Sequence, residues 1–404
     1  MNDGFKAVRV TDNVWWVGAV DWGVRDFHGY KTSRGTTYNA YLVTAETPVL
    51  VDTVKKPFFG EMMSRVASVI EPGKIRCIVS NHSEMDHSGA LPEAIAAIRP
   101  EKVFASEMGR KALGEHFHGL GDVTAVREGE KVSLGNMSLA FLETKMVHWP
   151  DSMVSYLDAD KLLFSQDGFG MHLASGERFA DELPGHVLDY EAAKYYANIL
   201  LPLSGLVVKV IEKIKASGLE IGVIAPDHGP IWRKEPLAIV EKYAAWATQK
   251  PLNKTVIAYD TMWGSTELMA MALGDGAAAG GSRVRLFPLK SSHRSDVAAE
   301  LLDAGALVVG SPTINNGLFP TVADMMAYLK GLKRQGLAGA AFGSYGWSGE
   351  AVKHLEETLA AMNVEKAAES VRSKYVPDAD TLARCRALGE TVAAKLKGLP
   401  EAVR

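Results

Sequence analysis

The first part of the chain, up to about residue 250, is predicted to be rich in short strands. Short apolar runs such as Val49-Leu-Val and Met137-Ser-Leu-Ala-Phe-Leu alternate there with turn-forming residues. Between these runs, apolar residues recur with helical spacing at 61–70, 91–98 and 191–217. This pattern predicts an α/β domain over residues 1–250, built from layers of sheet and helix.

The second part of the chain has a different pattern, in which predicted strands alternate one by one with helices. The strands are predicted at 255–259, 282–287, 306–310, 338–343 and 367–371. Such alternation is typical of a doubly wound parallel sheet. A helix predicted at 236–249 ends before Pro251, so we place the boundary there and predict a second domain over residues 254–404.

One loop of the first part carries an unusual density of metal-ligand side chains. The apolar run 75–80 predicts a buried strand, and a helix is predicted from Gly89. Between them lie four side chains that bind metals in proteins: His82, Glu84, Asp86 and His87. Polar groups can converge on such a loop without disrupting a core, so the cluster predicts a metal site.

Three later stretches each place one more ligand after an apolar run. They carry His148, Asp167 and His228. Taken alone, His148 is equally explained as a buried core histidine, and Asp167 as a turn residue before Gly168. Their order behind the first cluster favours a shared metal centre.

That order resembles the metallo-β-lactamase fold, whose zinc hydrolases carry a His-x-His-x-Asp-His loop, then a histidine, a bridging aspartate and a last histidine. Glu84 stands where those hydrolases have a histidine, and this form is similar to the flavodiiron proteins. The resemblance implies one iron on His82, Glu84 and His148, another on Asp86, His87 and His228, and Asp167 as the bridge. The additional carboxylate favours iron over zinc because it is a harder, charged ligand.

Two further side chains are candidates for hydrogen bonding to a diatomic ligand at such a centre. They are His28, in an early polar loop, and Tyr196, in a predicted helix. Tyr30 and Tyr195 are alternatives for the same role. Ordinary packing with a satisfied polar tip is the competing explanation for all four residues.

In the second part, three loops follow predicted strands and so share the edge of the sheet where ligands bind. The first loop opens a helix and contains Thr261, Met262, Trp263, Gly264, Ser265 and Thr266. Its hydroxyl and free N–H groups suit a phosphate, although a simple helix cap is the alternative. The other loops contain Ser311, Pro312, Thr313, Asn315 and Asn316, and Ser344, Tyr345, Gly346, Trp347, Ser348 and Gly349.

These loops resemble the FMN site of flavodoxins. The resemblance implies that the first loop holds the phosphate and that the other two hold the isoalloxazine ring. The commonest flavodoxin pattern, Thr-x-Thr-Gly-x-Thr, is not matched, because Trp263 precedes Gly264. The lack of a lysine in this loop argues against a nucleotide P-loop.

Together the two resemblances imply a flavodiiron reductase. Electrons from rubredoxin would pass through FMN to a non-haem diiron site that reduces O2 to water, NO to N2O, or both. The family also implies a head-to-tail homodimer, or a dimer of dimers, in which the FMN of one chain faces the irons of the other. The alternatives are a zinc hydrolase with a regulatory flavodoxin domain and a non-catalytic electron-transfer or sensor protein.

Composition restricts the partners and the expected location. The formal net charge is −4, which gives no sign of a nucleic-acid or anionic membrane partner. No apolar run reaches the roughly 18 residues of a membrane span, and the start lacks a signal-like core. Cys77 and Cys385 form no Cys-x-x-Cys pair. We therefore expect a reducing cytoplasm and a separate protein as electron donor.

Overall fold

Residues 4–402 are described by a computed structural model, in which the chain forms two structural units. The first comprises the segments up to residue 28, 32–195 and 205–244. The second comprises 29–31, 196–204 and the chain from residue 245 onward. The domain limits 1–250 and 254–404 remain a prediction, and their outer ends, 1–3 and 403–404, lie outside the described residues.

Two mixed β-sheets form the centre of the first unit. The larger has the strand order Val8–Arg9, Val14–Trp16, Tyr41–Val43, Val49–Val51, Cys77–Ser80, Lys102–Ser106 and Thr124–Val126. The smaller has the order Lys131–Ser133, Ser138–Glu143, Met153–Leu157, Leu162–Gln166 and Val223–Pro226. A short two-stranded pair joins Ala19–Asp21 to Thr36–Tyr38, and Asp26–Phe27 is a further short strand.

The buried apolar residues show how these sheets pack. One cluster mixes residues of both sheets, among them Trp16, Val79, Phe141 and Phe164, so it fills the space between them. A second cluster joins the larger sheet to its covering helices. The helices of this unit are Phe59–Ala67, Met85–Ser88, Leu91–Ile98, Glu107–His116, Gly185–Tyr195, Ser204–Ala216 and Leu237–Ala247. This is the metallo-β-lactamase-like sandwich that the sequence predicted.

The second unit is a parallel sheet with helices between its strands. The order is Arg283–Pro288, Leu252–Tyr259, Ala304–Gly310, Ala338–Tyr345 and Glu365–Lys366, and Val371–Lys374 also pairs with Ala338–Tyr345. The helices are Ser265–Ala279, Arg294–Leu301, Pro320–Leu332, Glu350–Ala361 and Ala379–Lys395. This agrees with the doubly wound, flavodoxin-like sheet predicted from the alternating pattern.

Two predicted elements differ from the structure. The helix expected over 191–217 is interrupted: regular helix ends at Tyr195 and begins again at Ser204. Pro202 lies in the interruption, where it cannot donate a helical hydrogen bond. The strand expected at 367–371 is replaced by two short strands, Glu365–Lys366 and Val371–Lys374. None of the helices described between residues 4 and 402 combines the length and the apolar character that a membrane crossing needs.

Candidate metal centre and a second pocket

The ligand-type side chains of the first unit lie in loops that follow strands of both sheets. Strand Cys77–Ser80 leads into the loop that carries His82 and Glu84, and the short helix Met85–Ser88 carries Asp86 and His87. Asp167 directly follows strand Leu162–Gln166, and His228 follows strand Val223–Pro226. Each of these apolar strands is fixed in a sheet, so the polar residues that follow it are held in a defined position.

The structure brings all seven predicted metal ligands together in two groups. Within each group the candidate ligand atoms lie within 4.8 Å of one another. The groups are His82, Glu84, His148 and Asp167, and Asp86, His87 and His228. Asp167 faces both: its Oδ2 lies 2.9 Å from His148 Nε2, and its Oδ1 lies 3.1 Å from His87 Nε2. This is the position that a bridging carboxylate requires.

The carboxylates of the cluster are held in the charged form. Burial alone would raise the pKa of Glu84, but hydrogen bonds from His148 and His82 outweigh it and bring that pKa to about 2. Burial also opposes ionisation of Asp86, and the charge of His87 overcomes it, so that pKa is about 2 as well. The pKa of Asp167 is lowered well below its usual value, mainly by the charge of His87 acting against burial.

The histidines show the complementary effect. Burial would lower the pKa of His82, but hydrogen bonds to Asp151 and Glu84 raise it to about 10. The same opposition raises the pKa of His148 to about 8, through Asp167 and Glu84. In the metal-free chain, protons on the imidazoles therefore balance the buried carboxylates. Metal ions would replace those protons.

Several buried atoms of the cluster lack a well-aligned hydrogen bond and face other ligand-type atoms, an arrangement that a bound cation would satisfy. They include both carboxylate oxygens of Asp86, Asp167 Oδ1 and His87 Nε2. Buried polar atoms are nearly always hydrogen-bonded or bound to a metal. The donor set of imidazole and carboxylate suits iron. The residues present therefore fit two metal ions.

The outer nitrogens of three of these imidazoles face groups that orient the rings. Asp151 Oδ2 accepts a hydrogen bond from His82 Nδ1 at 3.1 Å and another from the backbone N–H of Ser83 at 2.6 Å. His228 Nδ1 lies 2.6 Å from the carbonyl oxygen of Thr37. His87 Nδ1 lies 3.4 Å from a carboxyl oxygen of Asp227. Such partners fix which ring nitrogen is free for a metal.

Sequence reasoning missed these orienting residues. Asp151 was within reach, because it follows His148 by only three positions in the same polar loop. Asp227 precedes His228 directly, and its carboxyl has a pKa raised well above the usual value by burial and by the charge of Asp52. The role of Thr37 is carried by its main-chain carbonyl, which leaves no signal in the sequence.

The two candidates for a role beside the metals have different surroundings. His28 is 75% exposed, and its Nε2 lies 3.5 Å from Glu84 Oε1, at the open side of the cluster. Tyr196 instead directs its hydroxyl to Ser204 Oγ, at 3.1 Å. Tyr195 is the neighbour that faces the ligands, since its ring centroid is 6.3 Å from that of His228. The role predicted for Tyr196 remains a prediction, and Tyr195, the alternative from the sequence, is the residue whose ring lies near the ligand His228.

Aromatic and histidine rings close the cluster on its other sides. Trp149 stands perpendicular to His82, with a centroid distance of 5.2 Å. His172, which sequence analysis had not assigned, is buried 4.7 Å from the ring of His228. Burial and the charge of His228 lower the pKa of His172 well below its usual value. His172 is therefore neutral and acts as part of the wall.

The second unit contains a large pocket, of about 810 Å³, at the carboxyl ends of its strands. Most of the predicted cofactor residues line it: Met262, Trp263, Ser265, Pro312, Thr313, Asn315, Asn316, Ser344, Tyr345, Gly346, Trp347 and Ser348. Ile314, within the predicted loop, also lines it, and sequence reasoning missed Tyr375 and Val376. Trp263 and Trp347 are 95% and 89% exposed. Large indoles in such a position offer faces for a planar ring.

Five predicted cofactor residues are not among those that line the pocket: Thr261, Gly264, Thr266, Ser311 and Gly349. Three of them shape its loops instead. Thr261 Oγ1 accepts a hydrogen bond from the Gly264 N–H at 3.0 Å. Thr266 Oγ1 lies 2.9 Å from Ser344 Oγ, and Ser311 Oγ accepts from the Phe319 N–H at 3.0 Å.

The helix Ser265–Ala279 begins at this pocket, directly after Gly264. Gly264 has φ +87°, a left-handed conformation that glycine adopts at little cost. Its turn exposes the start of the helix, where backbone N–H groups and the helix dipole favour an anion. A phosphate at this end and a ring against the indoles would fill the pocket as a flavin nucleotide does.

Fold and site together define a protein class: a metallo-β-lactamase-like unit with a two-metal centre, followed by a flavodoxin-like unit with a flavin pocket. Comparison with known proteins agrees. Residues 36–229 match the family described as ODP family beta lactamase, and residues 257–389 match flavodoxin.

Relatives extend over nearly the whole chain. A nitric oxide reductase of Moorella thermoacetica is 46% identical over 395 residues, which is 97% of this chain and 99% of the relative. The solved rubredoxin oxygen:oxidoreductase of Desulfovibrio gigas is also 46% identical, with TM-score 0.94 over 97% of this chain and 99% of the other. The flavodiiron protein of Giardia intestinalis is 32% identical, with TM-score 0.93 over 97% of each chain. The chain belongs to the flavodiiron protein family.

Membership in this family settles the cofactors. The flavodoxin domain binds FMN, and flavodiiron proteins carry a non-haem diiron site. The chain supplies a candidate group of ligands for each of two iron ions. The chain is an oxidoreductase, as its relatives are.

Proposed function

We propose that this protein reduces O2 to water, NO to N2O, or both, with electrons that rubredoxin delivers through FMN. The observation that carries the proposal is the position of Asp167, whose two carboxylate oxygens face the two ligand groups separately. Relatives of 46% identity support it, since one is named for rubredoxin and oxygen and another for nitric oxide. A centre of this kind can hold two metals close enough to act on one substrate.

In this proposal each ligand has a defined place. His82, Glu84 and His148 would hold one iron, Asp86, His87 and His228 would hold the other, and Asp167 would serve both. FMN lies in the pocket of the second unit, with its phosphate at 261–266 and its ring against the loops of 311–316, 344–349 and 375–376. The pocket residues and the two ligand groups support these assignments.

When bound, the two irons would supply the redox chemistry on the diatomic substrate, and FMN would supply single electrons. The chain controls charge and protons around that chemistry. Glu84 and Asp86 remain ionised, because their pKa values are about 2, and so they compensate the charge of the metals. Tyr195 retains its proton, because burial raises its pKa well above the usual value, and its ring lies 6.3 Å from that of His228. His28 occupies the open side.

We further propose a head-to-tail homodimer, or a dimer of dimers, located in the cytoplasm. Exposed apolar side chains occur beside both sites: Met85 next to the metal ligands, and Trp263, Trp347 and Val376 at the flavin pocket. Such groups are the kind that association covers. Cys77 and Cys385 are buried and unpaired, which suits a reducing compartment.

The test of the dimer is sedimentation combined with activity on dilution. A head-to-tail arrangement predicts that specific activity falls as the dimer dissociates. It also predicts that mixing a flavin-pocket variant with a metal-ligand variant restores activity through hybrid dimers. A monomer that keeps full activity at every concentration would contradict the arrangement.

The test of the function compares two substrates on one preparation. The iron- and FMN-replete protein, reduced by rubredoxin, should consume O2, NO or both at rates of roughly 1–10³ per second, as enzymes commonly do. Faster O2 consumption would identify an oxygen-removing reductase, and faster NO consumption a nitric oxide reductase. Consumption of neither gas by the replete protein would contradict the proposal and bring the zinc hydrolase alternative forward. If rubredoxin is the electron donor, gas consumption should stop when rubredoxin is omitted.

A further inference from the structure

Gln166 is a buried amide that touches the loops of three candidate metal ligands. Its Nε2 donates a hydrogen bond to the carbonyl oxygen of Val147, the residue before His148, at 2.8 Å. Its Oε1 accepts from the backbone N–H of Asp167 at 2.7 Å. Its main-chain carbonyl accepts from the N–H of Asp227, beside His228, at 2.9 Å.

The backbone of Gln166 indicates that this position has a specific role. Its φ is +47°, which a residue other than glycine, asparagine or aspartate seldom adopts. The residue is only 1% exposed, so its amide is removed from water, and both ends of that amide are satisfied by main-chain groups. A buried polar side chain in an unfavourable conformation persists where the surrounding structure requires it.

We propose that Gln166 is a positioning residue that sets the distance between the bridging Asp167 and the loop of His148. The amide spans from the backbone of the bridge to the carbonyl before the histidine, so it connects two ligands of one metal. Through its own carbonyl it also connects them to the loop of His228, a ligand of the other metal. The inference rests on the proposed metal ligands, and it assigns a role to a residue that binds neither metal.

Two substitutions separate this role from simple packing. Gln166→Met keeps the length and approximate volume but removes both side-chain hydrogen bonds, whereas Gln166→Glu keeps the acceptor for the Asp167 N–H and loses the amide donor. We expect Gln166→Met to release one metal per chain to a chelator about 10-fold faster or more, with Gln166→Glu in between. The Mössbauer spectrum of the iron-loaded Gln166→Met protein should also change, because the spacing of the irons depends on the bridge.

The matched control is Gln335→Met. Gln335 is an exposed glutamine of the second unit, and its side chain donates to the main chain at Lys333. It should leave metal release and the spectrum unchanged. FMN content and the thermal midpoint are measured on every variant to identify any that has misfolded. If Gln166→Met is misfolded, Gln166→Glu decides the test, and we expect it to release metal faster than the wild-type protein.

The inference would be overturned if both Gln166 variants released metal at the wild-type rate and kept the wild-type Mössbauer spectrum. If Gln166 only fills space, Gln166→Met should behave in that way, because methionine has a similar volume. The release assay is repeated with Zn²⁺-loaded protein, which needs no turnover. If the protein consumed neither gas, the proposed function would fail while zinc release still decided the role of Gln166.

Discussion

The two sites of this chain are built on opposite principles. In the metal centre nearly every ligand-type group is buried and charged, and its ionisation is set by its neighbours, as when His148 and His82 hold the pKa of Glu84 at about 2. In the flavin pocket the most prominent side chains are exposed and uncharged: Trp263 and Trp347 have 95% and 89% of their surface open.

That difference determines how each site should respond to substitution. A charge buried in the metal centre loses its compensation when a partner is removed, and an uncompensated buried charge is costly. An exposed side chain at the rim of the pocket contributes its own contact with the flavin ring and does not hold other residues of the pocket in place. Single changes should therefore disable the metal centre and only weaken the pocket.

Asp167→Ala should give the largest effect, because Asp167 is the one residue that faces both ligand groups. We expect loss of bound iron and a fall in gas consumption of about 100-fold or more, beyond the range for orienting residues. FMN content should not change, as measured by absorbance alongside iron analysis. Asp160→Ala removes a carboxylate that accepts from Asn13 and should leave both cofactors in place. Retained iron and activity in Asp167→Ala would contradict its role as the bridge.

Asp151→Asn should have the next largest effect. The carboxylate accepts hydrogen bonds from His82 and from the Ser83 N–H, and the amide keeps the shape without the charge. We expect metal affinity to fall about 10- to 100-fold, measured by competition with a chelator. Asp158→Asn is the matched control, because Asp158 is exposed and also accepts hydrogen bonds, two from Ser138 and one from the N–H of Ala159. Equal affinities in the two variants would mean that the charge of Asp151 is irrelevant.

The third prediction uses pH to separate the metal-free from the loaded centre. Hydrogen bonds to Asp167 and Glu84 raise the pKa of His148 from 6.5 to about 8 when no metal is bound. A histidine whose pKa is higher in the folded than in the unfolded state stabilises the fold fully when the pH is below its unfolded-state pKa. That stabilisation is lost as the pH rises through its folded-state pKa. The titration of His148 should thus remove about 2 kcal/mol of the unfolding free energy of the metal-free protein between pH ~6.5 and a little above ~8. His82, whose pKa is raised to about 10, should add to the loss over the same range and beyond it.

The measurement is urea unfolding at several pH values, with and without metal. Metal occupies the imidazole nitrogens that would otherwise bind protons, so the loaded protein should show little dependence in that range. A slope that is the same with and without metal would show that His148 titrates independently of the ligand cluster.

The metal ligands could be predicted from sequence because each follows an apolar strand and all are chemically distinctive. Loops that follow strands of the two packed sheets bring these residues together. The choice between Tyr195 and Tyr196 could not be made in the same way. Adjacent residues of a helix point to different sides, and the interruption after Tyr195 changes that direction further.

The flavin pocket shows the same limit in another form. Its three predicted loops follow strands with clear apolar runs, whereas Tyr375 and Val376 follow Val371–Lys374, a strand that alternates buried and exposed residues. The strand predicted at 367–371 was placed too early, so the loop that follows Lys374 was not recognised. Hydrogen bonds made by main-chain atoms, such as the one between the Thr37 carbonyl and His228, likewise cannot be predicted from residue type, because every residue has the same main-chain groups.

Trp347→Ala should give the smallest of the four effects and is the direct test of the contrast. The indole is almost fully exposed, so its removal should not change the free energy of unfolding of the FMN-free protein. We expect FMN affinity to fall about 10-fold, which corresponds to about 1.4 kcal/mol and is within the range for aromatic contacts. The measurement is FMN fluorescence titration, with iron content as a control. If Trp263→Ala has a similar effect and the double variant loses the product of the two, each indole contacts the ring independently. Complete loss of FMN in either single variant would instead mean that the pocket, like the metal centre, fails as a unit.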